Sequence, residues 1–417
     1  MVAREMKDSN IWGVGQIPSS WTTKRIGYLF KEKTQLSLPE ERWELLSVSE
    51  YYGVAQKKET IAENDFLTRA ESLVGYKVCR PGDLVSNIML TWKGALGVSD
   101  HAGIVSPAYC VYCPNDQVVP RYAHYLFRTK AYTSLFKAYS TGIIDSRLRL
   151  YTDKFFKLKC LLPSKNEQTA IVNFLDTKCA EFDSLTADIE KQIETLQEYK
   201  KSVITEAVTK GLDPNVEMKD SGVEWIGKVP MHWKTTRLKN EILNLDYLRE
   251  PISAEKRKNE QGLYDYYGAS GVIDKIDDYN VNDTVLLIGE DGANLLMRNL
   301  PLIYKASGKF WVNNHAHILK VPSKNDYEYF AFLLEAVDYT NFITGSAQPK
   351  LSQRNLDNVP LIIPNVEEQR HISEYLSERC ADIELVVGEK QKQLEVLAQY
   401  KQSLIYEYVT GKKAVPT

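Results

Sequence analysis

The feature that most constrains this chain is an internal repeat. The stretch EQTAIVNFLDTKCA, which begins at Glu167, returns as EQRHISEYLSERCA, which begins at Glu368. At an offset of 201, a segment of 47 residues is identical at about 18 positions, without a gap. A second block repeats at an offset of 212, where Met-Lys-Asp-Ser begins at both Met6 and Met218. A chain built from two copies of one unit is predicted to fold as two similar substructures.

The segment between the two repeated blocks differs from copy to copy, and we call it the module. The offset falls from 212 to 201, so the second module is eleven residues shorter. In both modules the pattern predicts strands followed by a helix, which indicates a mixed α/β fold. The predicted strands are 71–79, 83–90, 103–113, 283–289, 301–306 and 316–321, and the predicted helices are 121–139 and 326–337.

Each copy ends in a long amphipathic segment with a seven-residue apolar period. The predicted seam residues are Leu175, Phe182, Ile189, Leu196 and Val203 in the first copy, and Leu376, Ile383, Leu397 and Leu404 in the second, with Lys390 as the polar exception. A helix over 166–209 would be about 66 Å long. A single such helix usually packs on its own domain, but two equivalent ones favour an antiparallel coiled coil with pseudo-twofold symmetry.

The organisation follows from these patterns. A chain of 417 residues with 43% apolar residues is long enough for several cores. We predict α/β modules plus long α-helices in two tandem repeats. The predicted segments are a module over 1–162, a spacer helix over 163–212, a module over 213–363 and a spacer helix over 364–417.

The charge is unevenly distributed along the chain. The net charge is -3, but residues 1–163 hold 22 Lys and Arg against 16 Asp and Glu, which gives +6. Residues 215–364 give -3, and the two helical segments are also acidic. The first module is therefore the better candidate for contact with a polyanion, and the second is not predicted to bind one strongly by itself.

The sequence carries no convincing catalytic or metal site. GVEWIGKV, which begins at Gly222, resembles a phosphate loop, but Val229 stands where the hydroxyl residue is needed. CVYC, which begins at Cys110, has no second Cys pair, so buried thiols are favoured over zinc. His315 and His317 alternate and are predicted to lie on one strand face, where polar contacts are favoured over metal. The charged N-terminus and the absence of a long apolar run predict a soluble, cytoplasmic protein with no membrane partner.

The order of motifs resembles the specificity subunit of a type I restriction-modification system. The resemblance rests on a Trp motif, a variable module, a polar Gly loop, LLPSKNEQ or IIPNVEEQ and a long helix, followed by all of these again. It implies that each module is a target recognition domain for one half of a split double-stranded DNA sequence. It also implies two methyltransferase subunits docked with help from the helices, and restriction subunits added to those. No cofactor is expected on this chain; S-adenosylmethionine and ATP are expected on the partner subunits.

Candidate DNA contacts are chosen by side-chain chemistry, because Arg pairs with guanine, Asn and Gln pair with adenine, and Lys or Ser binds the backbone. In the first module the candidates are Asn87, Lys93, Thr141, Arg147 and Arg149. In the second, Tyr267 and Ser270 belong to YYGASG, which resembles a family stretch, and the other candidates are Asn294, Asn314, His315, Gln348 and Lys350.

Two alternatives remain open at this level. The chain could be the specificity partner of a fused restriction-methylation enzyme, in which one large polypeptide replaces the separate subunits. It could also be a coiled-coil assembly scaffold that reads no sequence at all.

Overall fold

A computed structural model describes residues 4–38, 43–59, 73–257, 262–345 and 348–416. The chain divides into two compact units. Unit 1 comprises residues 1–189 and 392–417, and unit 2 comprises residues 190–391. Each unit therefore contains one module, the first part of the helix that follows it and the last part of the other long helix. The predicted segment boundaries at 162, 212 and 363 stay a prediction.

The first half of the chain forms short strands and three short helices before the first long helix. The strands are β1 (Met6–Asp8), β2 (Gln16–Pro18), β3 (Thr22–Arg25), β4 (Phe30–Lys33), β5 (Leu46–Ser49), β6 (Gly53–Gln56), β7 (Lys77–Cys79), β8 (Leu84–Asn87), β9 (Leu96–Val98), β10 (Gly103–Val105), β11 (Tyr109–Pro114) and β12 (Lys159–Leu162). The helices are α1 (Pro120–Phe127), α2 (Lys130–Tyr139), α3 (Thr152–Phe155) and α4 (Lys165–Lys210).

The second half repeats this plan with longer strands. The strands are β13 (Met218–Asp220), β14 (Lys228–Pro230), β15 (Lys234–Arg237), β16 (Leu243–Asn244), β17 (Tyr264–Gly268), β18 (Gly271–Ile276), β19 (Val281–Gly289), β20 (Ile303–Val312), β21 (Ala316–Lys320), β22 (Ile343–Thr344), β23 (Lys350–Leu351) and β24 (Pro360–Ile363). The helices are α5 (Leu238–Glu241), α6 (Ala254–Arg257), α7 (Gly292–Met297), α8 (Tyr327–Ala336), α9 (Gln353–Asp357) and α10 (Val366–Val409).

The two long helices confirm the predicted fold class. They pack together in antiparallel fashion, so that in unit 1 the rings of Phe174 and Tyr408 are 4.4 Å apart, and those of Phe182 and Tyr400 are 5.5 Å apart. The start of α4 is capped by Ser164, whose hydroxyl accepts a hydrogen bond from the backbone N–H of Glu167. No helix among the described residues is both long enough and apolar enough to cross a membrane.

The predicted seam lies on the inner side of the helix pair. Leu175, Phe182, Leu376, Ile383 and Leu404 are buried, and Ile189, Leu196, Val203 and Leu397 are half-buried. In unit 2 the polar exception Lys390 donates from its ammonium to the side-chain oxygen of Gln192, at 2.5 Å. A lysine at this place in an apolar seam can fix the register of the two helices.

Module 1 contains a four-stranded sheet in the order β4-β11-β8-β9. The predicted helix over 121–139 is wrong in one respect, because it is two helices separated at Arg128 and Thr129, where Thr129 is extended. The predicted strand over 103–113 is also two strands, separated by a turn that includes Pro107, since proline cannot donate to a strand ladder. Residues 71–72 of another predicted strand lie outside the described residues, and only Lys77–Cys79 is strand.

The CVYC stretch is only partly as expected. Both cysteines lie on β11, but only Cys110 is buried, whereas Cys113 is exposed. Positions three apart on a strand point to opposite faces of the sheet, so one thiol faces the core and the other does not.

Module 2 contains a six-stranded sheet in the order β16-β21-β19-β20-β17-β18. The predicted strands 283–289 and 316–321 correspond to β19 and β21, and the predicted helix 326–337 corresponds to α8. Strand β20 extends well beyond its predicted end, because residues 307–310 continue the antiparallel ladder with β19, and Trp311 and Val312 pair in parallel with β17. The hairpin of β17 and β18 was not predicted.

The same anchor joins each module to the start of its helix. In unit 1, the indole N–H of Trp21 donates to Glu167 Oε2 at 2.9 Å, and in unit 2 the indole of Trp233 donates to Glu368 Oε1 at 3.0 Å. Both tryptophans are almost completely buried. The glutamate repeated in the sequence therefore binds the tryptophan repeated near the start of each copy.

The glutamine that follows each of these glutamates completes the anchor. The side-chain oxygen of Gln168 accepts from the backbone N–H of Val119, just before α1, at 2.8 Å. That of Gln369 accepts from the backbone N–H of Asp326, just before α8, also at 2.8 Å. Each glutamine also donates to the carbonyl of the proline before its helix, at 3.1 Å. The Glu-Gln pair thus fixes the module helix on the long helix in both units.

A glycine at the end of a long helix packs on each anchor tryptophan. Gly411, which follows α10, lies in unit 1, where a Cβ would come within 2.4 Å of Pro18 and 3.0 Å of Trp21. Gly211, which follows α4, has the same left-handed backbone and would approach Trp233 in unit 2 at 3.4 Å. Glycine is needed at both places because of the positive φ, and at Gly411 also because of the close approach.

Candidate nucleic-acid interface

In module 1, the polar Gly loop over 141–149 lies beside the turn over 87–93, and we call these two segments edge 1. The loop is closed by two backbone hydrogen bonds between Thr141 and Arg149, of 2.8 and 2.9 Å. The backbone N–H of Leu150 donates to the carbonyl of Ile88 at 2.9 Å. The structure therefore brings all five candidates of the first module into one region.

The five candidates of edge 1 differ in how freely their side chains can reach a partner. Lys93, Thr141 and Arg147 are exposed. Arg149 is half-buried and donates to the carbonyl of Leu148 at 2.9 Å. Asn87 is buried, and its side-chain oxygen accepts from the backbone N–H of Met89 at 3.2 Å, so its amide supports the turn in this structure.

Arg128 was not predicted from the sequence as a functional residue. It stabilises edge 1 through hydrogen bonds to backbone carbonyls next to it. Its guanidinium donates to the carbonyls of Gly94 and Leu96, next to the turn, at 2.8 and 2.9 Å. It also donates to the carbonyls of Glu50 and Tyr51, at the tip of the β5–β6 hairpin. Burial lowers the pKa of Arg128 to about 10, which still leaves the group charged at neutral pH. No sequence signal identifies such a residue, because its partners are distant in the chain.

His124 packs beside Arg128 and is held neutral. Burial lowers the pKa of His124 to about 3, and the nearby charges of Arg128 and Arg121 lower it further. The neutral Nδ1 accepts a hydrogen bond from the backbone N–H of Val98 at 3.2 Å. Gly97 allows this close approach, because a Cβ there would lie 3.1 Å from the imidazole.

In module 2, four loops meet at the end of β19, and we call them edge 2: 268–271, 290–294, 313–315 and 348–350. The backbone N–H of Glu290 donates to the carbonyl of His315 at 2.8 Å, and that of Gly292 donates to Pro349 at 2.7 Å. Gly289 is closely covered by the carbonyl of Ala269. Six of the seven candidates of the second module lie in these loops, and Tyr267 immediately precedes them.

Glu290 is the centre of edge 2 and was not a sequence candidate. Its carboxylate accepts from Arg249 at 2.9 Å and from Lys350 at 3.2 Å. Burial by itself raises the pKa of Glu290, but the hydrogen bonds from Arg249 and Lys350 outweigh it and lower the pKa overall. Arg249 also donates to the carbonyl of Asn314 at 3.3 Å. Lys350 is therefore ion-paired within the protein, whereas Arg147 in edge 1 forms no ion pair with any residue that the structure describes.

A buried contact between His317 and Asp246 supports edge 2. The Nδ1 of His317 lies 2.5 Å from Asp246 Oδ2, and its Nε2 lies 2.8 Å from the carbonyl of Leu351. Burial raises the pKa of Asp246, but the hydrogen bond and charge of His317 outweigh it and lower the pKa overall. His317 is only 1% exposed, so its role is to tie β21 to β23. His315 precedes β21 and is exposed, so the two histidines do not share one strand face as predicted.

The remaining candidates of module 2 are held to different degrees. Ser270, Asn314 and Gln348 are exposed. Tyr267 is half-buried, with its ring 5.5 Å from that of Phe310. The Asn294 amide donates to the carbonyls of Leu300 and Pro301, both at 3.2 Å, so it closes its own loop.

The two edges offer hydrogen-bond donors and cations on loops fixed by rigid strands, which is the chemistry that base edges and phosphates require. A family model for the type I restriction modification DNA specificity domain matches residues 230–396. The chain is therefore similar to type I restriction-modification specificity subunits.

Curated relatives carry the same description. The chain is 29% identical over 147 residues to a putative type I specificity subunit from Haemophilus influenzae, a match that covers 35% of this chain and 36% of that protein. It is 23% identical to the MjaVIII specificity subunit from Methanocaldococcus jannaschii over 92% of this chain and 95% of that protein. The MjaIX specificity subunit of the same organism is also 23% identical, over 99% of this chain and 97% of that protein.

Two solved structures share the fold of this chain. A chain from a study of assembly and conformational transition in the type I system has a TM-score of 0.72 at 14% identity, over 95% of this chain and 99% of that chain. The HsdS subunit from Thermoanaerobacter tengcongensis has a TM-score of 0.52 at 14% identity, over 95% of this chain and 98% of that chain. At this identity the likeness concerns the fold alone.

Proposed function

We propose that module 1 and module 2 each read one half of a split, asymmetric double-stranded DNA target, and that the helix pair sets the gap between the halves. The observation that carries this proposal is an identical anchor beneath two different edges. Because the anchor has the same hydrogen bonds in both units, it holds each module in the same geometry on its long helix. Loops that differ in length, charge and side chains supply separate sequence preferences.

The two edges are suited to DNA in different ways. Edge 1 presents the exposed Arg147 and Lys93 in the part of the chain whose net charge is +6. In edge 2, Lys350 must leave Glu290 or share it before it can contact a phosphate. The isolated chain therefore binds DNA weakly and with a shallow salt dependence, and partner subunits supply much of the phosphate neutralisation.

The outer faces of the long helices provide surface for those partners. In unit 1, Leu185, Val396 and Tyr400 are exposed at 50, 64 and 55%. In unit 2, Tyr375, Leu385 and Val386 are exposed at 43, 65 and 39%. Leu185 and Val386 are equivalent positions of the repeat, as are Tyr400 and Tyr199, which is 45% exposed. Exposed apolar side chains at such equivalent positions fit two copies of one partner.

We propose that these partners are two methyltransferase subunits, which restriction subunits join in the complete complex in the cytoplasm. S-adenosylmethionine and ATP bind to those subunits, and this chain binds no cofactor. A fused restriction-methylation polypeptide would use the same two edges, and the neighbouring genes distinguish the two arrangements.

The first experiment is methylation sequencing of cells with and without this chain. A split motif that disappears with the chain supports the proposal. Methylation that is unchanged in both strains contradicts it and leaves only a scaffold role.

A second experiment tests the spacer by adding one heptad to each helix, after Gln192 and after Gln393. The seams stay in register, and the helix pair lengthens by about 10.5 Å. This length corresponds to about three base pairs, with a rotation of roughly 100° about the duplex. The expected result is a gap longer by about three base pairs, or an assembled complex that no longer methylates. Full activity on the original motif would show that the helices do not set the gap.

A further inference from the structure

The tip of the Gly loop in edge 1 exposes apolar surface to an unusual extent. Ile143 is 100% exposed and Ile144 is 53% exposed. Among the described residues, no other large hydrophobic side chain is as exposed as Ile143. A single exposed aliphatic residue is ordinary on a protein surface. Two adjacent ones at the tip of a closed loop instead indicate a surface that contacts a partner.

The loop that presents Ile143 is tightly constructed. Gly142 has a φ of +152°, and a Cβ there would lie 2.6 Å from the carbonyl oxygen of Arg147, so only glycine fits. The backbone N–H of Arg147 donates to the carbonyl of Ile144 at 2.8 Å, which closes a turn over 144–147. Behind the loop Leu148 is buried. The tip is therefore held in place before any partner binds.

Basic side chains surround this apolar tip. Lys137 forms an ion pair with Asp145 at 2.8 Å, and its ammonium lies 4.7 Å from the ring centre of Trp92. The ammonium of Lys93 lies 5.4 Å from the centre of the same ring. Together with Arg147 and Arg149, these give four basic residues against the single acidic Asp145 in the loop and its neighbours. A protein partner with an apolar pocket would not require this charge, whereas a DNA backbone on both sides of the tip would.

We propose that Ile143 enters the DNA duplex as an apolar wedge between two base pairs of the half-site read by module 1, while the surrounding cations hold the phosphates. The inference rests on the proposed function of module 1. Apolar wedges of this kind partly unstack a base step and kink the duplex, and the cost depends on the sequence of that step. Ile143 would then contribute specificity at a step where edge 1 makes no hydrogen bond to a base.

The test uses the full chain in complex with its methyltransferase subunits, on duplexes that contain the methylated motif. The fluorescent base 2-aminopurine is placed at successive positions through the half-site of module 1. The variants are Ile143→Ala and Ile143→Ser, with Ile143→Met as the conservative control. Leu296→Ala, which removes an aliphatic residue that is 46% exposed in unit 2, is the matched control in the other module.

The expected result is a strong fluorescence increase at one step with the wild-type complex, and its loss with Ile143→Ala and Ile143→Ser. These two variants should also bind the motif about tenfold more weakly. Ile143→Met and Leu296→Ala should keep the signal. An increase at the methylated base caused by base flipping should persist in all variants, which separates it from the wedge.

Other outcomes overturn the inference. Motif-specific methylation without an unstacking signal at any step would show that Ile143 contacts a groove surface, such as a thymine methyl group. An unchanged signal in Ile143→Ser would assign unstacking to another residue. If the wild-type complex methylates no defined motif, the proposed function fails, and the wedge fails with it. Because Ile143 is fully exposed, circular dichroism should show that its variants fold as the wild type does.

Discussion

The anchor is nearly identical in the two copies of the repeat, whereas the edges differ between them. The anchor distances agree to 0.1 Å between the units, since Trp21 and Trp233 bind their glutamates at 2.9 and 3.0 Å. In the part of the chain that the structure describes, the edges share only the backbone pairing that closes each Gly loop, between Thr141 and Arg149 in module 1 and between Thr344 and Lys350 in module 2. Edge 1 ends in an exposed isoleucine among cations, whereas edge 2 is organised by the partly buried Glu290. A duplicated protein can thus keep its geometry constant while the chemistry at each recognition surface diverges.

The largest effect is expected for Arg128, which supports edge 1 alone. Arg128→Ala leaves several carbonyls of module 1 without a charged donor and should destabilise unit 1 by about 3 kcal/mol. Arg128→Lys should lose most of the same stability, because an ammonium cannot reproduce the planar fork. Hydrogen exchange resolved by segment is the measurement. Equal loss of protection in module 2 would contradict a role confined to edge 1.

The next effect compares the two anchors directly. Gln168→Ala and Gln369→Ala each remove a buried amide with three or more hydrogen bonds, and each should cost about 2 kcal/mol in its own unit. Urea unfolding, followed by segment-resolved hydrogen exchange, would measure both variants. A large difference between them would mean that the two anchors are alike in geometry but not in energy.

The pH dependence of unit 1 gives a smaller effect. The pKa of His124 is lowered to about 3, first by burial and then by Arg128 and Arg121, against 6.5 for an ordinary histidine. A lowered pKa means that the unfolded chain binds the proton first, so this stability is complete above about pH 6.5 and is lost as the pH falls towards 3. At pH 5.5 the loss should be about 1.4 kcal/mol.

The control for this pH effect is His124→Gln, which has no group that titrates. Unfolding free energies of this variant and of the wild type at pH 7.5 and 5.5 give the difference due to the imidazole. If the wild type and the variant lose the same stability between these two pH values, His124 is not the source.

The smallest expected effect is a difference in DNA affinity between a variant of edge 1 and a variant of edge 2. Arg147 is exposed and forms no ion pair with an acidic side chain among the described residues. Arg147→Ala should therefore weaken target binding by about 1 kcal/mol. Lys350→Ala should weaken it less, because part of the interaction energy of Lys350 is already used by Glu290. Binding of the assembled complex to labelled duplexes at two salt concentrations would measure both. A larger effect for Lys350→Ala would mean that Glu290 does not restrain the lysine.

Local patterns in the sequence predicted the frame well. The seven-residue period placed the long helix at 166–209, and the structure has it at Lys165–Lys210. This signal is local, because helix seams depend on residues close in the chain. The repeat also indicated that Glu167 and Glu368 do the same work, although not that their partners are Trp21 and Trp233.

For the two edges, the sequence predicted only which polar and basic loop residues could contact DNA. Arg128 and Glu290 were missed because their partners come from distant segments, and no periodicity records such contacts. The break of the helix at Arg128 was missed for the same reason, since the sequence there continues with good helix formers. The exposed or buried state of Asn87 and Asn294 likewise depends on neighbours that only the fold supplies.

The central claim is that two independent modules stand on one repeated frame. The most direct measurement is methylation sequencing after residues 27–160 are replaced by the corresponding segment of a relative, with Trp21, Glu167 and Gln168 and the whole anchor of unit 2 left in place. The account predicts a motif in which one half changes and the other half and the class of methylated base stay the same. A motif in which both halves change together would contradict it.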